Sequence, residues 1–291
     1  MEHNEGQSAP GFRQGLGWRC QIVTSMVTIV LPKGSLGALS DFVVDPTVRQ
    51  ENAMTELLYF EDSYLRQFTA KVTQAGVDQV VLDRTAFYPG GGGQPPDEGW
   101  LELDGHRWQV KRARKEGSDL VHLLDLAGPP AGAEISATLD WERRYQLMRT
   151  HTAMHILCGV IWRDYRVSVT GGNMEPSKGR MDFEFSSMSR ELADEIEAKV
   201  NLEVDNNRAV SARILPRAEA FAIPDLIRTK INLLPEGIQQ VRVVEIEGLD
   251  LQADGGTHVA ATGEVGGMRI VDYMSKGAEN KRLVVALEAA K

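Results

Sequence analysis

The sequence predicts an α+β protein: a small antiparallel, barrel-like β domain over residues 54–140, followed by an α+β domain over residues 141–291. Three features point there. Short runs of alternating apolar and polar residues, punctuated by Gly, Pro and Asp, fill the first segment. A long helical pattern opens abruptly at Asp140. Beyond it the helices are grouped and strands surround them, with no regular βαβ alternation and no internal repeat.

The period-two runs are RQFTAKVTQAG, DQVVLDRTAFYP, GWLELDG, RWQVKRAR, LVHLLDL and EISATLD, none of them long enough for a helix. Before them, TELLYFEDSYL starts a strand-like pattern near Met54. Asp140 suits an N-cap, Glu142 places an acid in the first turn, and Leu147, Ile156 and Val160 follow at helical spacing, so one long helix runs to Trp162. RMDFEFSS reads as a strand. SRELADEIEAKVNLEV reads as a second, amphipathic helix, from about Ser189 to Val204 and capped by Ser189. AVSARIL, QQVRVVEIEG, GMRIVDYMS and KRLVVALEA are strand-like.

Composition narrows the class. Hydrophobic residues at 42% and charged residues at 25% are globular values. Cys20 and Cys158 are the two cysteines, so there is no disulfide framework and no Cys-rich zinc module, which fits a reducing cytoplasm. A formal net charge of -9 argues against a protein held to nucleic acid by overall charge. The apolar run Ile22–Leu31 is too short to span a bilayer, which needs about 20 apolar residues. Glu2 and Glu5 ahead of it and the lack of paired cysteines argue against export. Residues 1–53 are expected to be an accessory N-terminal extension, disordered or wrongly assigned to the chain.

Two short patterns have the spacing of metal ligands. His151 and His155 are at i and i+4 of the long helix, so their side chains leave one face about 5–6 Å apart. Asp254 and His258 flank Gly255-Gly256, a turn that folds both side chains toward one point. Together they supply three imidazoles and one carboxylate, a tetrahedral zinc set. HTAMH has the spacing of a zinc peptidase motif but carries Thr152 where the general-base carboxylate belongs, which excludes that class. Cys158 shares the helical face but lies about 10.5 Å beyond His151 along the axis at 1.5 Å per residue, too far to join it; it reads as a buried small hydrophobe. A further stretch, RTAFYPGGGGQPPDEGW, is neither a P-loop nor a dinucleotide fingerprint. Its flanks, with Thr85, Tyr88, Gln94 and Asp97, favour a recognition loop over a spacer.

TAFYPGGGGQPPDEGW, RTHTAMHIL, DGGTHVAATGEVG and SKGAENKRL, in this order, resemble the editing domain of alanyl-tRNA synthetases and the free-standing AlaX-type alanyl-tRNA editing proteins. The resemblance covers roughly residues 55 to 290, too short for an aminoacylation core, and so favours the free-standing form. It implies a Gly-rich-motif β domain and a second, zinc-binding domain that hydrolyses Ser or Gly wrongly attached to tRNA(Ala), without ATP. His151 and His155 match the family's HxxxH ligands and His258 the last ligand of its CxxxH motif, while Asp254 stands where Cys is usual. Either Asp254 binds zinc directly and closes the site, or it lies behind a water in the fourth position. The resemblance assigns Thr85 and Gln94 to the aminoacyl pocket, with the Thr85 hydroxyl recognising the seryl side chain.

Binding a tRNA acceptor end at this net charge requires local cations. Arg107, Lys111, Arg112, Arg114 and Lys115 form one cluster and Arg143, Arg144 and Arg149 a second. Lys276, Lys281 and Arg282 match the family's C-terminal motif and are the expected tRNA contacts. Two other functions fit the same residues: a non-catalytic tRNA-binding relative that has lost its metal thiolate, and a zinc hydrolase of small aminoacyl esters. No membrane association is expected, and the oligomeric state is open.

Overall fold

The computed structural model describes residues 54–228, 237–275, 277 and 280–288. The expected extension 1–53 with its apolar run, and Lys276, lie outside the described residues. Among the described residues no helix is long and apolar enough to cross a membrane.

The chain opens with a two-residue strand (β1, Glu56–Leu57) and one helical turn (α1, Leu58–Glu61). The turn replaces most of the strand expected there. Leu57, Leu58, Tyr59 and Phe60 all pack on one hydrophobic cluster, which a strand with alternating faces cannot arrange. Then follow β2 (Gln67–Ala75), β3 (Gln79–Leu82), β4 (Arg84–Thr85), β5 (Gly99–Leu103), β6 (His106–Glu116), β7 (Asp119–Leu124) and β8 (Glu134–Leu139). Six of them close an antiparallel barrel in the order β2-β3-β7-β6-β5-β8, and β4 pairs in parallel with β1. Alternation fills the barrel: Val72, Leu82, Phe87, Leu101, Val110 and Ile135 point inward and are buried.

Asp140 ends the barrel and starts the long helix α2 (Trp141–Tyr165), its side chain accepting from Arg143 N at 3.2 Å. The helix is buried throughout from Leu147 to Ile161. After it come β9 (Val169–Glu175), β10 (Lys178–Phe183), α3 (Arg190–Asp205), β11 (Val210–Pro216), α4 (Arg217–Phe221), β12 (Gln240–Ile246), β13 (Asp250–Ala253), β14 (Met268–Ser275) and β15 (Lys281–Leu287). Ser189 caps α3 by accepting from Leu192 N at 3.2 Å. One antiparallel sheet has the order β14-β15-β10-β9 and another β11-β12-β13. Helix α2 packs with α3 and the first of these around Leu147, Ile156, Ile161, Phe183 and Val285.

The loop 86–98 joins barrel to helix. Arg144 is fully buried and its Nε donates to both oxygens of Asp97 at 3.0 Å, while Nη1 donates to Ser63 O at 3.0 Å and Nη2 to Ala86 O. Asp97 also accepts from Tyr88 N at 2.6 Å, so the two ends of the glycine run are held together.

A candidate metal centre in the wall of a cavity

Helix α2 carries His151 and His155, and the turn after β13 carries Asp254 and His258. One ligand atom from each lies within 4.8 Å of the others. The Asp254 carboxylate faces two imidazoles: Oδ2 is 3.0 Å from His258 Nε2 and Oδ1 is 3.5 Å from His151 Nε2. The turn can come this close because residue 256 is glycine; a Cβ there would sit 2.2 Å from His151 Cε1 and 2.8 Å from Gln94 Oε1.

Each imidazole is steered by an outer partner. Gln94 Oε1 accepts from Thr257 N at 3.1 Å, which fixes the amide, so His151 Nδ1 must donate to it at 2.9 Å. His155 Nδ1 donates to Asp250 Oδ2 at 2.8 Å. Thr152, where the peptidase motif would have Glu, pairs with His258 Nδ1 at 3.2 Å and accepts from Val259 N. The Nε2 lone pairs of His151 and His155 are thereby left for a common ligand.

The electrostatics favour neutral imidazoles at His151 and His258 and a charged carboxylate at Asp254. Burial pushes His151 well below the ordinary imidazole range and His258 down to about 4, against the pull of Asp254. Burial also works against the Asp254 anion, yet the facing imidazoles of His151 and His258 hold it well below the usual carboxylate range. His155 differs: burial lowers it, but the hydrogen bond and charge of Asp250 carry it upward. An N3O set of this kind, with its imidazoles oriented from behind, suits a zinc-sized divalent cation.

His151, His155 and Asp254 line a cavity of about 1020 Å³. Gly92 and Gly93 of the glycine run form part of its wall, with Met154, Met174, Met181, Leu226 and Phe60 giving it an apolar character. Cys158 lies in the wall but outside the ligand cluster; Gln252 Nε2 approaches its sulfur to 3.3 Å, and burial pushes the thiol up to about 12.

Gln94 is brought into the site, as a clamp: besides its two Oε1 contacts, Nε2 donates to Thr257 Oγ1 at 2.9 Å. Thr85 is placed elsewhere. It is buried in the barrel and does not line the cavity. His122 Nδ1 donates to Val80 O, so His122 Nε2 accepts the Thr85 hydroxyl at 2.8 Å, and Thr85 Oγ1 in turn accepts from Phe87 N. Of the expected tRNA contacts, Lys281 is buried with Nζ donating to Gly277 O at 2.7 Å, and Arg282 holds Asp182 at 2.6 and 2.7 Å. The second basic cluster is also engaged inside the protein: Arg143 with Glu98, Arg144 with Asp97, and Arg149 with the carbonyls of Val265 and Glu288. In the first cluster Arg107 pairs with Glu102 and Arg114 with Glu116.

Asp250 and Thr152 were not singled out from the sequence. For Asp250 a signal existed: in DLQAD, residues 250, 252 and 254 share one face of a period-two strand, so the carboxylate that orients a ligand and the one in the ligand cluster are in phase.

The sequence is similar to known proteins. Residues 40–143 match the family described as "tRNA synthetases class II (A)", and residues 241–284, which carry Asp254 and His258, match the "Threonyl and Alanyl tRNA synthetase second additional domain". The chain is 39% identical over 243 residues to the alanyl-tRNA editing protein AlaX-M of Methanosarcina acetivorans, covering 80% of this chain and 99% of that protein. It is 36% identical over 233 residues to the AlaX-M of Saccharolobus solfataricus, covering 79% and 98%. The alanine–tRNA ligase of Ignicoccus hospitalis is 38% identical over 223 residues, which are 75% of this chain and 24% of the ligase. Matching about four fifths of its own length to nearly the whole of the AlaX-M proteins, and to only a quarter of the ligase, the chain belongs to the AlaX-M family of alanyl-tRNA editing proteins.

Proposed function

We propose that this protein is a trans-editing hydrolase that removes serine, and also glycine, from mischarged tRNA(Ala), with zinc held by His151, His155, Asp254 and His258. The observation that carries this reading is the placement of that cluster in the wall of a large, mostly apolar cavity beside the glycine run. Such a cavity has room for a terminal adenosine with its aminoacyl ester. When bound, zinc supplies Lewis acidity toward an ester carbonyl or an attacking water. The chain's own residues do the rest. Met154, Met174 and Leu226 exclude water around the base and ribose, Gly92 and Gly93 let the substrate approach bare backbone, and Gln94 keeps His151 oriented.

Among the described cations, Arg143, Arg144, Arg149 and Arg282 are engaged with groups of the protein itself. We assign Lys281 and Arg282 to shaping the segment between β14 and β15, and leave phosphate contact to Lys276 within it. Thr85 enters as a support of the loop 86–98. Because its hydroxyl is paired with His122, Thr85→Val is expected to lower Ser-tRNA and Gly-tRNA deacylation alike. A loss confined to the seryl substrate would restore a direct contact with the seryl hydroxyl, where an unpaired partner costs about 1–3 kcal/mol.

The test is zinc quantitation beside deacylation of Ser-, Gly- and Ala-charged tRNA(Ala). One zinc per chain is expected, with hydrolysis of the first two substrates and sparing of the third. A metal-free protein inactive on all three selects a non-catalytic tRNA binder, and equal hydrolysis of a small seryl ester selects an esterase.

A further inference from the structure

Among the buried charges outside the ligand cluster, Asp250 hydrogen-bonds a member of that cluster. Its side chain is fully buried at the start of β13, with three partners. Oδ2 accepts from His155 Nδ1 at 2.8 Å and from Gln252 Nε2 at 2.9 Å, and Oδ1 is paired with Arg228. A buried carboxylate costs several kcal/mol in desolvation unless it is fully paired, so it is an expensive way to fill a core position. The helix makes room for it. Residues 151, 155 and 159 share one face of α2, and the third is glycine. A Cβ at Gly159 would lie 2.9 Å from Leu249 Cγ and 3.1 Å from both Asp250 Cβ and Leu249 O. The missing side chain is the gap through which β13 comes close enough for its carboxylate to reach His155.

We infer that Asp250 is the positioning residue of the metal centre. Braced by Arg228 and admitted by Gly159, it fixes His155 with the proton on Nδ1 and the Nε2 lone pair toward the metal, and so sets how tightly the metal is held. Asp250 itself reaches the His155 Nδ1, with Arg228 on its other oxygen and Gly159 against its Cβ. A carboxylate behind a ligating imidazole fixes its ring and raises its basicity, and removing such a partner typically weakens metal binding about 10–100-fold. The inference rests on the metal reading of the His151, His155, Asp254 and His258 cluster.

The experiment measures zinc affinity by competition with a chromophoric chelator, and thermal unfolding of the zinc-free protein, for the full chain, Asp250→Asn and Gly159→Ala. Cobalt spectra of each report the ligand field directly. Asp250→Asn is expected to weaken zinc about 10–100-fold and shift the cobalt bands. Gly159→Ala should weaken zinc in the same direction by pushing β13 away. Because both act on one hydrogen bond, the double variant should be no weaker than Asp250→Asn alone. If Asp250→Asn fails to fold without metal, Gly159→Ala carries the test by itself. Unchanged zinc affinity and unchanged cobalt bands, with only the melting temperature lowered, would show a purely structural ion pair and overturn the inference. Absence of zinc binding by the unsubstituted chain would instead overturn the metal reading on which it stands.

Discussion

Asp254→Ala is expected to lose zinc, and Asp254→Cys to keep it and hold it more tightly. The carboxylate faces His151 Nε2 at 3.5 Å and His258 Nε2 at 3.0 Å, on the side of the rings left free by Gln94 and Thr152. A direct ligand would stand there, since a group acting from behind would meet Nδ1, as Asp250 does on His155. Carboxylate oxygen binds zinc at about 2.0–2.2 Å and thiolate at about 2.3 Å, so cysteine fits with little change of reach and adds softness. Loss of a direct ligand should weaken zinc by at least about 100-fold, the upper end of what removal of an outer partner costs. Chelator competition on the two variants decides it. Retention within about threefold in Asp254→Ala, well short of an outer partner's cost, would move Asp254 behind a water and leave the fourth position open.

Arg144→Met is expected to destabilise the protein by about 3–5 kcal/mol, the usual cost of leaving one member of a buried ion pair alone. Arg144 is the largest fully buried side chain among the described residues, and Asp97, 1% exposed, would keep its charge with no cation beside it. Urea unfolding should show a lowered midpoint with an unchanged slope. Arg144→Met combined with Asp97→Leu should recover much of the loss, since the orphaned anion goes with its partner. A single-variant loss under about 1 kcal/mol, the scale of an exposed pair, would mean that water reaches Asp97. The same variant tests a link to function: Asp97 binds Tyr88 N and so anchors the loop that carries Gln94.

Much of this was legible because it depends on local rules. Most barrel strands are legible from alternation, α2 from Asp140 and α3 from Ser189, and the His/Asp cluster from two pairs of residues each spaced by four. What was hidden depends on partners far along the chain. β9 was missed because VTGGNME contains Gly171-Gly172 and too few β-branched residues to read as a strand; its backbone is pinned by Met174 N donating to Gly93 O at 3.1 Å. Arg144 and Arg149 read as part of a basic patch, since nothing local distinguishes a solvated guanidinium from one that holds a carboxylate or carbonyls more than 40 positions away. Thr85 stands correctly within its motif, yet its engagement with His122 is a property of barrel closure, 37 residues distant.

Gln94 comes from the loop that hangs off the barrel, yet its amide oxygen sits between His151 of the helix and Thr257 of the turn after β13. The amide is therefore an interlock: the reactive centre is fully assembled only while the barrel is seated. A barrel displaced from its seat would take with it the hydrogen bond that orients His151. In an alanyl-tRNA editing protein, a copy damaged in this way would fall silent rather than stay active with a slack pocket.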